Sequence, residues 1–315
     1  MTRHARAVVL LVAVVLCCGC ALSTPSSAPR DPGSAATPRA AASTARAAAL
    51  TPPAAAASPQ ELAERLLRAE RTVRSRTAGA DEVRQAAFET QVLYRQLARQ
   101  EAWLRPVVQR LPRWLRAPAR SHVAARRDFR SMHSSLSGAL PAWRIVAPAP
   151  EAELRRLYRE GERRFGVPWE VLAAVNLVET GFGRIRGTSV AGARGPMQFM
   201  PATWAAYGRG DIDDPHDAIL AAARYLAANG GGRGRVAQAL YAYNHHPAYV
   251  RGVQAYAEVL RVQPRALRGL HQWQVVYLSD RGDVWLPEGY RQRDPVPVRR
   301  YLRAHPEHLL GTRTD

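Results

Sequence analysis

A chain of 315 residues with 47% apolar content exceeds the usual size of one domain, so it should bury a sizeable core and carry accessory segments. All 45 basic residues are arginine against 26 acids, a net charge of +19 that favours anionic partners, although an arginine-rich composition also puts such charge on any solvated face. The three cysteines all fall within the first 20 residues, which excludes a disulfide-stapled scaffold for everything that follows.

Residues 1–20 place Arg3, His4 and Arg6 ahead of an apolar run from Ala7 to Leu16, too short to span a bilayer comfortably and patterned as an export signal. Its end, Cys17-Cys18-Gly19-Cys20, resembles a bacterial lipoprotein signal, with Cys17 where leucine is usual. That resemblance implies lipidation at Cys20, a membrane anchor and a location in the cell envelope. Residues 21–57 are Ala, Ser, Thr and Pro with scattered Arg, too poor in large apolar groups to offset their ordering entropy, and form a flexible tether. Residues 58–147 form an N-terminal helical region: Ser58-Pro59 caps one helix, "DEVRQAAFETQVLYRQLARQEAWLRPVV" repeats apolar residues every three or four positions, and a third, more basic pattern lies near "ARSHVAARRDFRSMHSSL". Packing against the next domain is favoured over holding a partner.

Residues 148–262 are a dense series of helices and loops. In "GVPWEVLAAVNLVETGFG", Pro168 suits a first helical turn and Gly181 the position past the end. Glu179 follows Leu172, Val175 and Asn176 by seven, four and three residues, so it shares the face a helix normally buries. Burial there raises a carboxyl pKa and makes a proton donor near neutral pH; a salt bridge to Arg184 or Arg186, or a frayed last turn, is the structural alternative. Downstream, "GARGPMQFMP" has backbone freedom at Gly192 and Gly195 and a helix opened by Pro201, which holds Met197, Gln198 and Phe199 on a tight segment. "DIDDPHD" fails calcium-loop spacing and reads as Asp214 capping a helix. "NGGGRGR" follows a helix, not a strand, and reads as a helix stop rather than a phosphate loop. Tyr243 and Asn244 end another helix. Residues 263–315 are a C-terminal extension, with a short hairpin around Asp280-Arg281-Gly282-Asp283 and a loosely held tail rich in Arg and His.

Three ordered blocks, Glu179-Thr180, Gly195-Pro196-Met197-Gln198 with Met200-Pro201, and Ala242-Tyr243-Asn244, resemble the signature of the lytic transglycosylases of soluble and membrane-bound lysozyme-like type. The wording "VET…GR" and "GPMQFMP" is closer to the membrane-bound B branch. The resemblance covers roughly Leu154 to Leu260. It implies a lysozyme-like helical catalytic domain, and with the helical region before it and the short C-terminal β-hairpin read from the residue patterns the fold is mainly α.

It further implies that Glu179 acts as single acid and base in cleaving the bond between N-acetylmuramic acid and N-acetylglucosamine, closing a 1,6-anhydro ring on the muramyl product. Ordinary glycoside hydrolysis needs two carboxylates. Substrate contacts carried over from the family are Ser189, Tyr243 and Asn244; on the tight segment Gln198 offers its amide and Met197 apolar surface to a sugar, while for Met200 and Phe199 core packing is favoured. Thr180 stands for the commoner serine, Pro196 for leucine, and His245-His246 for Ala-Gly. The implied partner is the peptidoglycan glycan strand. No metal or organic cofactor is implied, and nucleic acid has neither a recognisable module nor compatibility with export. The competing functions are a lysozyme-like hydrolase that uses water and a wall-binding lipoprotein without catalysis.

Overall fold

The computed structural model describes residues 49–311, so the export signal and Cys20 lie outside the described residues. It is mainly helical, with a small C-terminal sheet, as the sequence predicts. Four helices come first: α1 (Pro59–Arg74), α2 (Ala80–Arg99), α3 (Glu101–Arg110) and α4 (Arg113–Ser131). The Ser58 hydroxyl caps α1 by accepting from the Glu61 N–H at 3.1 Å, and the Glu82 carboxylate accepts from Gly79 N–H at 2.8 Å at the start of α2. The basic third pattern is α4, whose Leu115, Ala119, His122, Val123 and Phe129 are buried. The end of the Ala/Pro/Ser segment lies against α2, where Ala56 exchanges two hydrogen bonds of 2.8 Å with the Gln96 amide. Gly311, at the other end of the described chain, lies beside Arg99 of the same helix.

Next come α5 (Glu151–Phe165), α6 (Trp169–Thr180), α7 (Pro201–Tyr207), α8 (Pro215–Ala228), α9 (Val236–Tyr243) and α10 (Pro247–Val262), followed by α11 (Ala266–His271). Asp214 caps α8 through the Asp217 N–H at 3.1 Å, as its spacing predicts. One continuous apolar core runs from Leu62 and Leu97 through Phe129 and Leu172 to Leu260 and Trp273. The close approaches within it are made by glycine. A methyl group on Gly252 of α10 would meet the Phe129 ring of α4 at 2.5 Å, and one on Gly161 of α5 would meet Leu172 of α6 at 2.7 Å.

The strands are short. β1 (Ala139–Leu140) pairs with β6 (Val296–Pro297), and β2 (Arg144–Ile145) pairs with β3 (Ile185–Arg186), both antiparallel. The hairpin is β4 (Val275–Ser279) with β5 (Gly282–Leu286), in register Val275 to Leu286 and Ser279 to Gly282. Asp280-Arg281 makes its turn, and Asp283 is buried inside β5 against Arg95 and Arg99 of α2.

The residues after the hairpin differ from the loosely held tail the sequence suggested. They form α12 (Val298–Ala304) and β7 (Leu309–Leu310), which adds a third strand against β5. The anchors are apolar and aromatic: Leu310 is buried, His308 lies edge-on to Trp285 at 4.9 Å, and Tyr301 shares a 2.7 Å hydrogen bond with His308 Nδ1. Among the described residues no helix is long and apolar enough to cross a membrane.

Candidate active site

Helix α6 is apolar on nearly every side, as befits a helix packed between α5 and α10, and its one late acid is fully enclosed: Glu179 has 0% exposure. The helix stops where Gly181 turns left-handed, at φ 60°, and the Phe182 N–H returns to the Asn176 carbonyl at 3.1 Å. Neither arginine offered as a salt-bridge partner bonds to Glu179. Arg184 donates to the His271 carbonyl at 2.9 Å and Arg186 to the Asp213 carbonyl at 3.0 Å. The last turn is closed, not frayed.

The carboxyl instead accepts one hydrogen bond, from the Tyr249 hydroxyl to Oε1 at 2.7 Å, while Oε2 is buried without a partner. Burial pushes its pKa from 4.5 up to about 8, opposed in part by the Tyr249 hydrogen bond. At pH 7 such a group is roughly nine-tenths protonated. With Oε1 occupied as an acceptor, the proton belongs on Oε2, the oxygen that no protein group holds. A neutral buried acid with a free O–H is suited to giving that proton to a bound oxygen and taking one back.

The glycine-rich segment is fastened to the same helix. Arg194 and Phe199 exchange backbone hydrogen bonds of 2.9 and 2.8 Å, and the residues between them form a tight loop. The Pro196 carbonyl at its tip accepts from Asn176 Nδ2 at 2.8 Å and from the Thr180 hydroxyl at 2.6 Å. Thr180 also accepts from the Gly183 N–H at 2.9 Å, so its hydroxyl joins the helix end to the loop. Asn176 is held in turn by Tyr158, whose hydroxyl donates to Oδ1 at 2.6 Å. Gly195, at φ 75°, is confined to glycine, because a Cβ there would lie 2.0 Å from the Ile212 carbonyl. Gln198 adopts a left-handed φ of 50°, unusual outside glycine. Its Nε2 donates to the Gly195 carbonyl at 3.1 Å and its Oε1 is buried without a partner.

Tyr243 closes the third side. Its hydroxyl donates to the Met197 carbonyl at 2.5 Å, its ring is nearly parallel to that of Tyr249 at 6.5 Å, and its phenol is pushed well up by burial and then by the nearby Glu179. The structure therefore gathers Glu179, Gln198 and Tyr243 around α6, with Met197 linked through its backbone. The Met197 side chain is fully buried in the core, and Asn244 is buried at the end of α9. Ser189 sits on a separate turn, where its hydroxyl accepts from the Ala193 N–H at 3.0 Å. His246 caps α10 by accepting from the Ala248 N–H, and His245 lies edge-on to Tyr241.

Sequence reasoning missed Tyr249. It lies 70 residues beyond Glu179, and its signal is slight: a tyrosine in the first turn of the helix that follows the Tyr-Asn block.

Residues 156–261, about a third of the chain, match the family model described as Transglycosylase SLT domain. The match runs from within α5 to within α10 and contains Glu179, the glycine-rich loop, Tyr243 and Tyr249. No curated protein and no solved structure matches the chain. Fold and site together define a mainly helical protein with a region similar to transglycosylase SLT domains, built around one enclosed carboxyl group.

Proposed function

We propose that this chain is a peptidoglycan lytic transglycosylase with Glu179 as its single acid and base. The observation that carries this reading is the Glu179 carboxyl itself, enclosed, protonated at neutral pH, fixed by Tyr249 at one oxygen and unpartnered at the other. In the first step Oε2 gives its proton to the glycosidic oxygen of the N-acetylglucosamine leaving group as the muramyl C1–O bond breaks. In the second, the muramyl C6 hydroxyl oxygen bonds to C1 and its proton returns to Glu179. The acid is regenerated, no water is consumed, and the product is a 1,6-anhydromuramyl end.

Support for the single-acid form comes from the causes of the Glu179 shift, which are burial and Tyr249 with no second carboxylate among them. Gln198, with its unpartnered buried oxygen on a left-handed residue, is assigned to a donor on the sugar, and Asn244 is assigned to the same groove. Ser189 is placed near the N-acetyl group on the motif resemblance, which also carries the membrane-bound B affinity. Export through residues 1–20 and lipidation at Cys20 belong to the same reading on the sequence pattern alone.

Mass analysis of peptidoglycan digested by the purified protein tests the proposal. Anhydromuramyl products are expected, and Glu179→Gln should lower their release by at least about 1,000-fold with the fold intact. Reducing muramyl ends in their place would assign a hydrolase, and binding of the wall without cutting would assign a scaffold.

A further inference from the structure

A part-open cavity of about 130 Å³ lies on the far side of α6 from the Glu179 carboxyl. Leu177 and Val178 of α6, which line it, sit roughly 160° and 100° around the helix from Glu179 at 100° per residue. Most of its wall comes from outside the region that matches the SLT model: α2, α4, the segment before β2, and the start of β4. Phe129, Trp143, Tyr256, Trp273 and Tyr277 supply aromatic surface, and Arg126 of α4 lines it as well.

The charge around this cavity does not balance. Arg95, Arg99 and Arg126 share a single carboxylate, that of Asp283. Both Asp283 oxygens are already occupied: Arg95 takes Oδ1 and, at 2.8 Å, Oδ2, which Arg99 also reaches at 2.5 Å. Arg126 is left with no ion-pair partner among the described residues and with the Tyr256 hydroxyl as a neutral neighbour. Burial, and then the like charge of Arg95, bring its pKa down to about 10. The flanking amides offer no compensation. Gln91 is bonded at both ends to the backbone of Gln274, and the Gln274 side chain to the Gln272 carbonyl and Trp285. A partly buried cation beside two others is stabilised by an incoming anion, and aromatic walls cover the apolar or sugar framework that carries it.

We propose that this cavity is a second peptidoglycan site, which takes a carboxylate borne on a muramyl or D-alanyl group, with Arg126 as the partner of the anion. The identity of the ligand rests on the proposed function; the site itself rests on the uncompensated arginine in an aromatic cavity. The carboxylate has two sources, the lactyl group of muramic acid stripped of peptide and the terminal carboxylate of the stem peptide.

Calorimetric titration of the full exported chain distinguishes them. The ligands are N-acetylmuramic acid and its methyl ester, and a D-alanine-terminated stem pentapeptide and its C-terminal amide. One acid is expected to bind at least roughly tenfold tighter than its neutral counterpart, and which one does names the source. Arg126→Gln should remove the preference and Arg126→Lys should keep part of it. Glu179→Gln should bind as the wild type does, which separates this site from failure of the cleavage proposal. Equal binding of acid and neutral forms by the wild type, or no binding at millimolar concentration, overturns the site whether or not the Arg126 variants fold. So does a preference that survives Arg126→Gln, or acetate binding as tightly as either acid.

Discussion

A carboxyl group that keeps its proton to about pH 8 makes folding itself depend on pH. Between about 4.5, where Glu179 would ionise in the unfolded chain, and about 8, where it ionises in the native state, the folded protein holds one more proton than the unfolded one. Stability therefore falls as pH rises across that window, by about 1.4 kcal/mol per unit, and this contribution is flat below and above it. Glu179→Gln, which cannot ionise, should gain on the wild type by a few kcal/mol between pH 5 and pH 8 in urea unfolding. Parallel curves for the two proteins would mean an ionised, hydrated carboxylate. At this scale the sequence was informative about Glu179, because an acid on an apolar stripe is a local anomaly. It was silent about the unpartnered Gln198 oxygen and about Tyr249, because a left-handed residue outside glycine and a contact across 70 residues leave no periodic trace.

Among the elements, the C-terminal hairpin is tied to α2 by a buried charge. Burial would raise the Asp283 pKa, but the adjoining Arg95, with Arg99 and Arg126 beyond, holds it well below the usual range. Its depressed value contributes stability above the unfolded value near 3.8, and that contribution is lost as pH falls below it. Asp283→Asn leaves Arg95 and Arg99 without their counter-charge, so at pH 7 it should lower the unfolding free energy by roughly 3–5 kcal/mol. The difference from wild type should shrink in unfolding measurements below about pH 4, and a deficit under 1 kcal/mol at pH 7 would point to a solvated pair. The hairpin was legible from Val, Tyr and Trp runs on either side of a turn. What followed it was not, because the Arg and His composition of residues 298–308 reads as solvated surface while Tyr301, His308 and Leu310 do the packing.

For the molecule as a whole, the N-terminal helices and the region similar to SLT domains share one core, joined where Phe129 of α4 covers Gly252 of α10. Thermal unfolding of the chain should then show a single transition. A fragment that starts at residue 148 strips the apolar cover from α10, and poorly dispersed amide resonances are expected from it. A well-dispersed spectrum would show that the later helices form a self-sufficient unit. Helical class was readable from three- and four-residue periodicity, but the sharing of one core was not, since a pattern of apolar stripes does not say which stripe meets which.

Both ends of the described chain lie along α2, Thr51 bonded to the Gln85 amide near its start, Ala56 to the Gln96 amide, and Gly311 beside Arg99 at its end. Mechanical load applied at residue 49 thus enters along α2, which shares it with the strand that carries Asp283. The helix that bears Glu179 packs mainly between α5 and α10, so load carried along α2 should leave the Glu179 carboxyl in its setting.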